Sequence, residues 1–154
     1  MNDPHLKLLR CVAGLPALWL ATAAATDLPE PSGHVARVEG AAYVSSRGYT
    51  NAARVGQAII PGVTLSTGEG GALGVILSDG SVLSFGPHSE LVLDDYRFAP
   101  AEDQLRFDAR LQRGTLNLLG GDIARLAPGA IAVDTPDGRV RLHGGQMLLK
   151  VVER

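Results

Sequence analysis

Cysteine is almost missing from this sequence. The single cysteine, Cys11, precedes a short apolar run, whereas a lipoprotein signal places its cysteine after such a run. Because there is no second cysteine, the chain forms no internal disulfide bond, and its folded part must be stabilised by packing and strand pairing.

Charged and aromatic residues are also scarce. Charged residues make up 19% of the chain, the formal net charge is -2 at pH 7, and the pI is near 6.0. This composition gives no broad basic field to attract nucleic acid or anionic lipid, so neither is an expected partner. Trp19 lies in the N-terminal apolar run, and the remaining Tyr43, Tyr49, Tyr96 and three phenylalanines give little support for an aromatic sugar-binding platform.

Long hydrophobic segments are absent as well. The apolar run at residues 11–20 is too short to span a bilayer comfortably, and it contains a glycine and a proline. Basic residues precede it and small residues follow it, which is the order of a secretory signal peptide with an A-x-A cleavage site. We predict a signal peptide over residues 1–25, cleaved near Ala23 or Ala25, and no stable membrane span after cleavage. A retained N-terminal membrane anchor is the alternative.

Glycine and proline, in contrast, are abundant, with 19 and 9 residues. After a predicted linker at residues 26–33, short apolar stretches alternate with turn-forming residues, and only residues 122–126 suggest a helical turn. The clearest strand covers residues 105–112, where apolar and polar side chains alternate. The pattern predicts one all-β domain over residues 34–154, either a short β-helix-like solenoid or a compact β-sandwich of many short strands.

Two aspartate-glycine pairs predict structural turns. Asp79 and Gly80 lie between two apolar stretches, as in a hairpin with a two-residue loop whose φ angles are positive. Asp137 and Gly138 repeat this arrangement, although Pro136 removes one backbone donor and can widen that turn.

No catalytic machinery is recognisable in the sequence. Neither the G-x-S-x-G nucleophile motif nor a phosphate-binding loop occurs, and His34, His88 and His143 have no spacing that pairs them on a metal. Asp94 and Asp95 are adjacent carboxylates, which we expect in a solvated turn. We therefore predict no enzyme activity, no catalytic residues, no cofactor and no metal.

The polar face of the predicted strand at residues 105–112 is a candidate partner interface. Arg106, Asp108 and Arg110 give it the mixed charge that fixes register between proteins. The alternative is that these charges only keep the strand soluble and discourage edge pairing.

Several motifs along the chain resemble those of the FecR domain family of Gram-negative bacteria. The matching segments are Val55-Gly56 with Gly62-Val63, Leu65 to Ala72, Leu77 to Leu83, Pro87 to Leu91, Leu111 to Leu116 and Val133 to Gly138. The resemblance covers residues 33–152 and implies a small β-helix-like domain in the periplasm. At residues 143–147 the chain has His-Gly-Gly-Gln-Met where the family usually has an R-G-T segment.

The resemblance also implies what the domain does. In the best-known arrangement of the family, a cytoplasmic anti-sigma segment and a membrane helix precede this domain, and a further subdomain meets a TonB-dependent receptor. Ten residues before the apolar run are too few for a sigma-binding bundle, so we expect no direct sigma-factor contact. We predict a non-enzymatic module that binds another envelope protein as a sensor or scaffold accessory. The alternative is a module that binds a cell-wall glycan or a small envelope ligand.

The terminal strand is the second candidate interface. A solenoid has open ends, so a partner strand can add to the segment containing Met147, Leu149 and Val151. The N-terminal linker could equally cover this end.

Overall fold

A computed structural model of the chain describes residues 30–152. The predicted signal peptide and the first part of the predicted linker lie outside these residues. The described part contains the following strands: β1 (Gly33–Glu39), β2 (Ala42–Ser46), β3 (Tyr49–Ala52), β4 (Ala58–Ile59), β5 (Thr64–Thr67), β6 (Ala72–Leu77), β7 (Val82–Phe85), β8 (Glu90–Ala99), β9 (Gln104–Leu119), β10 (Ile131–Thr135), β11 (Gly138–Leu142) and β12 (Gln146–Val151). A 3₁₀ turn at Pro100–Glu102 and the short helix α1 (Asp122–Leu126) complete it.

The strands form one curled sheet with two halves that share the long strand β9. In the β7 half, the strand order is β4-β1-β6-β7-β9-β12, and the C-terminal part of β9 takes part. In the β8 half, the order is β3-β2-β5-β8-β9-β10-β11, and the N-terminal part of β9 takes part. Within residues 30–152, every strand pairing is antiparallel except that of β9 with β10.

The prediction of an all-β fold is confirmed. The sheet is a curled antiparallel half-barrel. The solenoid, one of the two expected architectures, is not confirmed. The predicted strand at residues 105–112 is part of β9, which continues to Leu119, and the predicted helical turn is α1.

One hydrophobic core lies between the two halves. Both halves alternate inward apolar and outward side chains, as the period of two requires. Phe107 of β9 is fully buried, and its ring meets that of Tyr96 edge to face, with centroids 6.3 Å apart. Ile123 and Ala124 of α1 are buried in the same core, so the helix covers one end of it.

The β6–β7 turn contains Asp79 and Gly80, but its loop has three residues instead of the expected two. The Leu77 N–H donates to the Ser81 carbonyl at 2.9 Å, and the Gly80 N–H donates to the Leu77 carbonyl at 3.0 Å. Gly80 has a φ of +80°. A three-residue loop with a left-handed glycine at its last position fits the twist of the two strands.

The β10–β11 turn has its two loop residues one position earlier than expected. Thr135 pairs with Gly138, so Pro136 and Asp137 form the loop and Gly138 already belongs to β11. Pro136 costs no ladder bond there because it stands outside both strands.

Candidate functional site

The carboxylate of Asp79 is buried and accepts four hydrogen bonds. Oδ1 accepts from the Tyr96 hydroxyl at 2.9 Å and from the Ser81 N–H at 3.2 Å. Oδ2 accepts from the Ser81 hydroxyl at 2.6 Å and from the Ile123 N–H at 3.2 Å. These donors come from the β6–β7 turn, from β8 and from the first turn of α1. This Asp79 junction therefore joins the two halves of the sheet to the helix.

The side chain of Tyr96 has one polar atom, the hydroxyl oxygen, and that atom lies inside the junction. Its hydroxyl donates to Asp79 and accepts the backbone N–H of Asp79 at 2.9 Å. Burial, together with the negative charge of Asp79, raises the pKa of Tyr96 well above its ordinary value. The hydroxyl therefore stays protonated and keeps donating at any ordinary pH.

A second polar cluster surrounds Ser89, which is fully buried. The Ser89 hydroxyl lies 2.9 Å from the Gly86 carbonyl oxygen, to which it donates, and accepts the Thr115 N–H at 2.9 Å. The Ser89 N–H donates to the Thr67 hydroxyl at 2.9 Å, and that hydroxyl donates to the Gly86 carbonyl at 2.6 Å. We call this cluster the Ser89 junction; it ties β5, β7 and β9 together.

The buried serines of the two junctions and the acidic and histidine side chains form no assembled catalytic or metal site among the described residues. Ser81 and Ser89 are fully buried, and their hydroxyls are engaged in the two junctions. Within the described part of the chain, no three His, Cys, Asp or Glu side chains are grouped so as to hold a metal ion. The absence of enzyme activity stays a prediction.

Arg106, Asp108 and Arg110 lie together on the outer face of the β8 half. Arg110 makes two hydrogen bonds to Asp94, at 2.7 and 2.6 Å, and Arg106 lies 3.3 Å from Asp95. The prediction of a solvated turn at Asp94 and Asp95 is wrong. Both residues lie within β8 at a β-bulge, and the irregular register lets both carboxylates meet arginines of β9.

Further ion pairs extend this charged face from β8 and β9 to β10 and β11, where Arg139 lies 3.5 Å from Asp134. Arg106 donates to Asp108 at 2.5 Å, and Arg139 of β11 donates to the same carboxylate at 2.5 Å. The hydrogen bond to Asp108 and then its charge raise the pKa of Arg106, and Asp94 has the same effect on Arg110. Most of the predicted polar face is therefore already paired within the molecule.

The terminal strand β12 turns the predicted interface side chains inward. Met147 is 8% exposed, and Leu149 and Val151 pack against the core. The outward side chains are those of Gln146, Leu148 and Lys150. Leu148 is 69% exposed, which is unusual for a leucine in a strand.

Within residues 30–152, β12 pairs only with β9, so its other edge is open. The Gly120 N–H donates to the Gly145 carbonyl at 2.8 Å. Because hydrogen-bonded pairs alternate along an antiparallel ladder, Met147, Leu149 and Val151 direct their N–H and C=O groups to β9. The backbone groups of Gln146, Leu148 and Lys150 therefore point away from the sheet.

The outer face beside β12 carries no charge over three neighbouring strands. The outward residues of β6, β7 and the C-terminal part of β9 are Ala72, Gly74, Ile76, Val82, Ser84, Thr115, Asn117 and Leu119. We call this surface the neutral band. It contrasts with the charged face of the β8 half and leads directly to the open edge at Leu148.

The tyrosines considered for glycan binding do not form one platform. Tyr49 is 76% exposed and Tyr43 is 40% exposed. Tyr49 pairs with Ser46, and Tyr43 pairs with Ala52. Paired residues share one face of a hairpin and successive residues alternate between faces, so Tyr43 and Tyr49 lie on opposite faces. Tyr96 is buried in the Asp79 junction.

These features define a small all-β half-barrel domain tied by two buried polar junctions. A sequence model of the family described as FecR protein matches residues 63–154, which is more than half of the chain. The chain belongs to the FecR family. Membership implies a signalling-related domain, and FecR domains are in general periplasmic. Neither a search of curated proteins nor a search of solved structures found a match.

The family match begins at the end of the β4–β5 connection, whereas we expected the resemblance to begin near residue 33. Within residues 30–152, neither helical segment is long and apolar enough to cross a bilayer. The predicted signal peptide lies outside the described residues and stays a prediction.

The motifs that carry the resemblance supply the two junctions. The segment Leu77 to Leu83 contains Asp79 and Ser81, and the segment Pro87 to Leu91 contains Ser89. Sequence reasoning placed Asp79 in a turn, but it did not identify the buried roles of Asp79, Ser81 and Ser89, and it missed Tyr96 as the partner of Asp79. The sequence held no local signal for that pairing because 17 positions separate the two residues.

Proposed function

We propose that this domain works in the periplasm as a non-enzymatic module that binds another envelope protein by accepting an extended strand on the open edge of β12. The observation that carries the proposal is the edge itself. No strand among residues 30–152 pairs with the outward backbone groups of Gln146, Leu148 and Lys150, and such a row is a template for strand addition.

The side chains along the edge define the partner strand. Leu148 offers an exposed apolar side chain, so we expect an apolar residue opposite it. Lys150 favours an acidic or neutral residue opposite it, because like charges directly across a strand pair destabilise the pair. The uncharged neutral band lets the partner continue over the face of the sheet without burying a lone charge.

Natural edges are usually protected, and here the protection is light. Charged side chains, bulges and prolines are the common devices, and β12 has only Lys150. The ion-paired face of the β8 half is a weaker candidate, because a partner would have to displace existing pairs.

Site-specific photo-crosslinking in the native host tests this proposal. A photoreactive amino acid at position 148 should capture one dominant envelope protein, and the same amino acid at exposed position 49 should not. In the second arm, the Leu148→Pro variant removes an outward N–H without removing a bond to β9. We expect it to weaken capture about tenfold, the loss of roughly one hydrogen bond plus a steric block.

Urea denaturation of L148P provides the folding control. Its midpoint should stay close to that of the parent chain, whereas Leu149→Pro should lower the midpoint because Leu149 bonds to β9. Equal capture from positions 148 and 49, or unchanged capture by folded L148P, would contradict the proposal. Capture of a second copy of this chain would mean that the edge mediates self-association and not binding to a different envelope protein.

A further inference from the structure

A trench runs along the outer side of β10 on the charged face. The outward residues there, Ala130 and Ala132, are small, and Gly129 precedes them. The strands on either side carry long outward side chains, with Arg106 on β9 and Arg139 on β11. The difference in side-chain length leaves a depression of about 320 Å³ with an alanine floor.

The trench walls carry three guanidinium groups and one carboxylate. Asp108 is 15% exposed and holds two of the arginines, Arg106 and Arg139, by bonds of 2.5 Å each. The third arginine, Arg141, donates only to the Gly129 carbonyl, at 3.5 Å, and has no ion pair among residues 30–152. Arg106 and Arg139 also lie 3.3 Å from Asp95 and 3.5 Å from Asp134. Arg141 is therefore the guanidinium group of the trench that has no carboxylate partner among the described residues.

The geometry points to an oxyanion-binding site in this trench, with Arg141 as its principal donor. A guanidinium group has five N–H donors in a planar fork that matches a carboxylate or a phosphate. Asp108 fixes the orientation of Arg106 and Arg139 before a ligand arrives, and each keeps N–H donors that Asp108 does not use.

This site is independent of the β12 edge. It lies on the β8 half, whereas the proposed partner strand adds to the β7 half. Either can fail without affecting the other, because they share no residue.

NMR titration of the ¹⁵N-labelled full chain tests the inference. Inorganic phosphate and, separately, acetate are added at constant ionic strength while the arginine Nε–Hε signals are followed. We expect saturable shifts at Arg141, Arg106 and Arg139. The Arg141→Gln variant should bind the effective anion about tenfold more weakly, as expected for the loss of one charge-assisted hydrogen bond.

Arg110→Gln is the matched control, because Arg110 lies on the same face outside the trench and pairs with Asp94. Its affinity should stay within about twofold of the parent, since only general charge is lost. Saturation by phosphate alone assigns a phosphate group to the site, and saturation by acetate assigns a carboxylate. Shifts that do not saturate with either anion, or equal losses in R141Q and R110Q, would overturn the inference.

Discussion

At the scale of single residues, Asp79 shows how hydrogen-bond donors can accommodate a buried carboxylate. An isolated buried charge is costly, but four donors surround this one and satisfy its lone pairs. One of them is the Ile123 N–H in the first turn of α1, where free N–H groups and the helix dipole favour a negative group. Asp79 thus caps a helix that lies more than 40 positions away in the sequence.

The first prediction concerns this carboxylate. Asp79→Asn should lower the free energy of unfolding by about 3 kcal/mol, because an amide NH2 faces donors that need an acceptor. Urea denaturation of the purified chain measures the change. Asp137→Asn is the control: Asp137 is an exposed turn residue, and its substitution should cost less than about 0.5 kcal/mol. Equal effects of the two substitutions would contradict the structural role of Asp79.

At the scale of the elements, β9 is the strand that organises the domain. Its N-terminal part pairs with β8 and β10, and its C-terminal part pairs with β7 and β12. Gly114 marks the change, with a φ of +83° and Ser89 directly against its backbone. A side chain at this position would lie where the two halves of the sheet meet.

The second prediction follows from that close approach. In Gly114→Ala, the new Cβ would lie 2.3 Å from the Ser89 hydroxyl oxygen and 2.4 Å from the Ser89 Cα. We expect a loss of about 4 kcal/mol or more, since a steric clash adds to the strain of a positive φ.

Gly62→Ala is the matched substitution, because Gly62 has a φ of +88° and open space at the Cβ position. It should cost only about 1–2 kcal/mol from backbone strain. The thermal midpoints of the two variants compare these costs. Similar losses of stability in the two variants would mean that the close approach of Ser89 does not determine the cost of a side chain at position 114.

The sequence predicted an element well where neighbouring residues alone indicated it. The alternation in residues 105–112 predicted part of β9, and the aspartate-glycine pairs located two turns. The β2–β3 hairpin had a weaker signal, because its loop residues are Arg47 and Gly48, with φ values of +50° and +82°. Arg-Gly is not among the dipeptides most typical of such loops.

Which face of a strand is buried was harder to predict than the strand itself. The period of two places Met147, Leu149 and Val151 on one side of β12, but it does not say which side meets the core. That choice is set by pairing with β9, a contact between distant segments. The same limit applies to Asp94 and Asp95, where a bulge overrides the simple alternation.

At the scale of the whole molecule, the two outer faces of the sheet differ in chemistry. The β8 half carries ion pairs that are largely exposed, and exposed pairs of this kind contribute little to stability. The β7 half is neutral over three strands and ends at an open edge. Stability therefore depends mainly on the shared core and the two buried junctions, and the outer faces can serve binding.

The third prediction is a loss of global stability in alkali. The pKa of Tyr96 is higher in the folded chain than its value of about 10 in the unfolded chain. Above that pH the unfolded chain loses the proton first, so the free energy of unfolding falls as pH rises, by at most about 1.4 kcal/mol per pH unit. Below pH 10 this contribution is fully present.

Urea denaturation between pH 8 and pH 11 measures this slope. Tyr96→Phe should remove the slope and also lower stability at pH 8, because Asp79 loses a donor. Tyr49→Phe, at an exposed position, should leave both unchanged. An unaltered slope in Y96F would assign the alkaline loss to another group.

The position of Lys150 has a practical consequence for chemical labelling. The sequence contains two lysines, Lys7 and Lys150, and only Lys150 lies in the described part, on the outward side of β12. Once the predicted signal peptide is removed, every amine-directed reagent apart from those acting on the chain terminus must react at this edge. A fluorophore or tether attached through lysine would therefore stand on the surface proposed to receive a partner. Attachment through another kind of side chain, at another position, would be needed to keep that surface accessible.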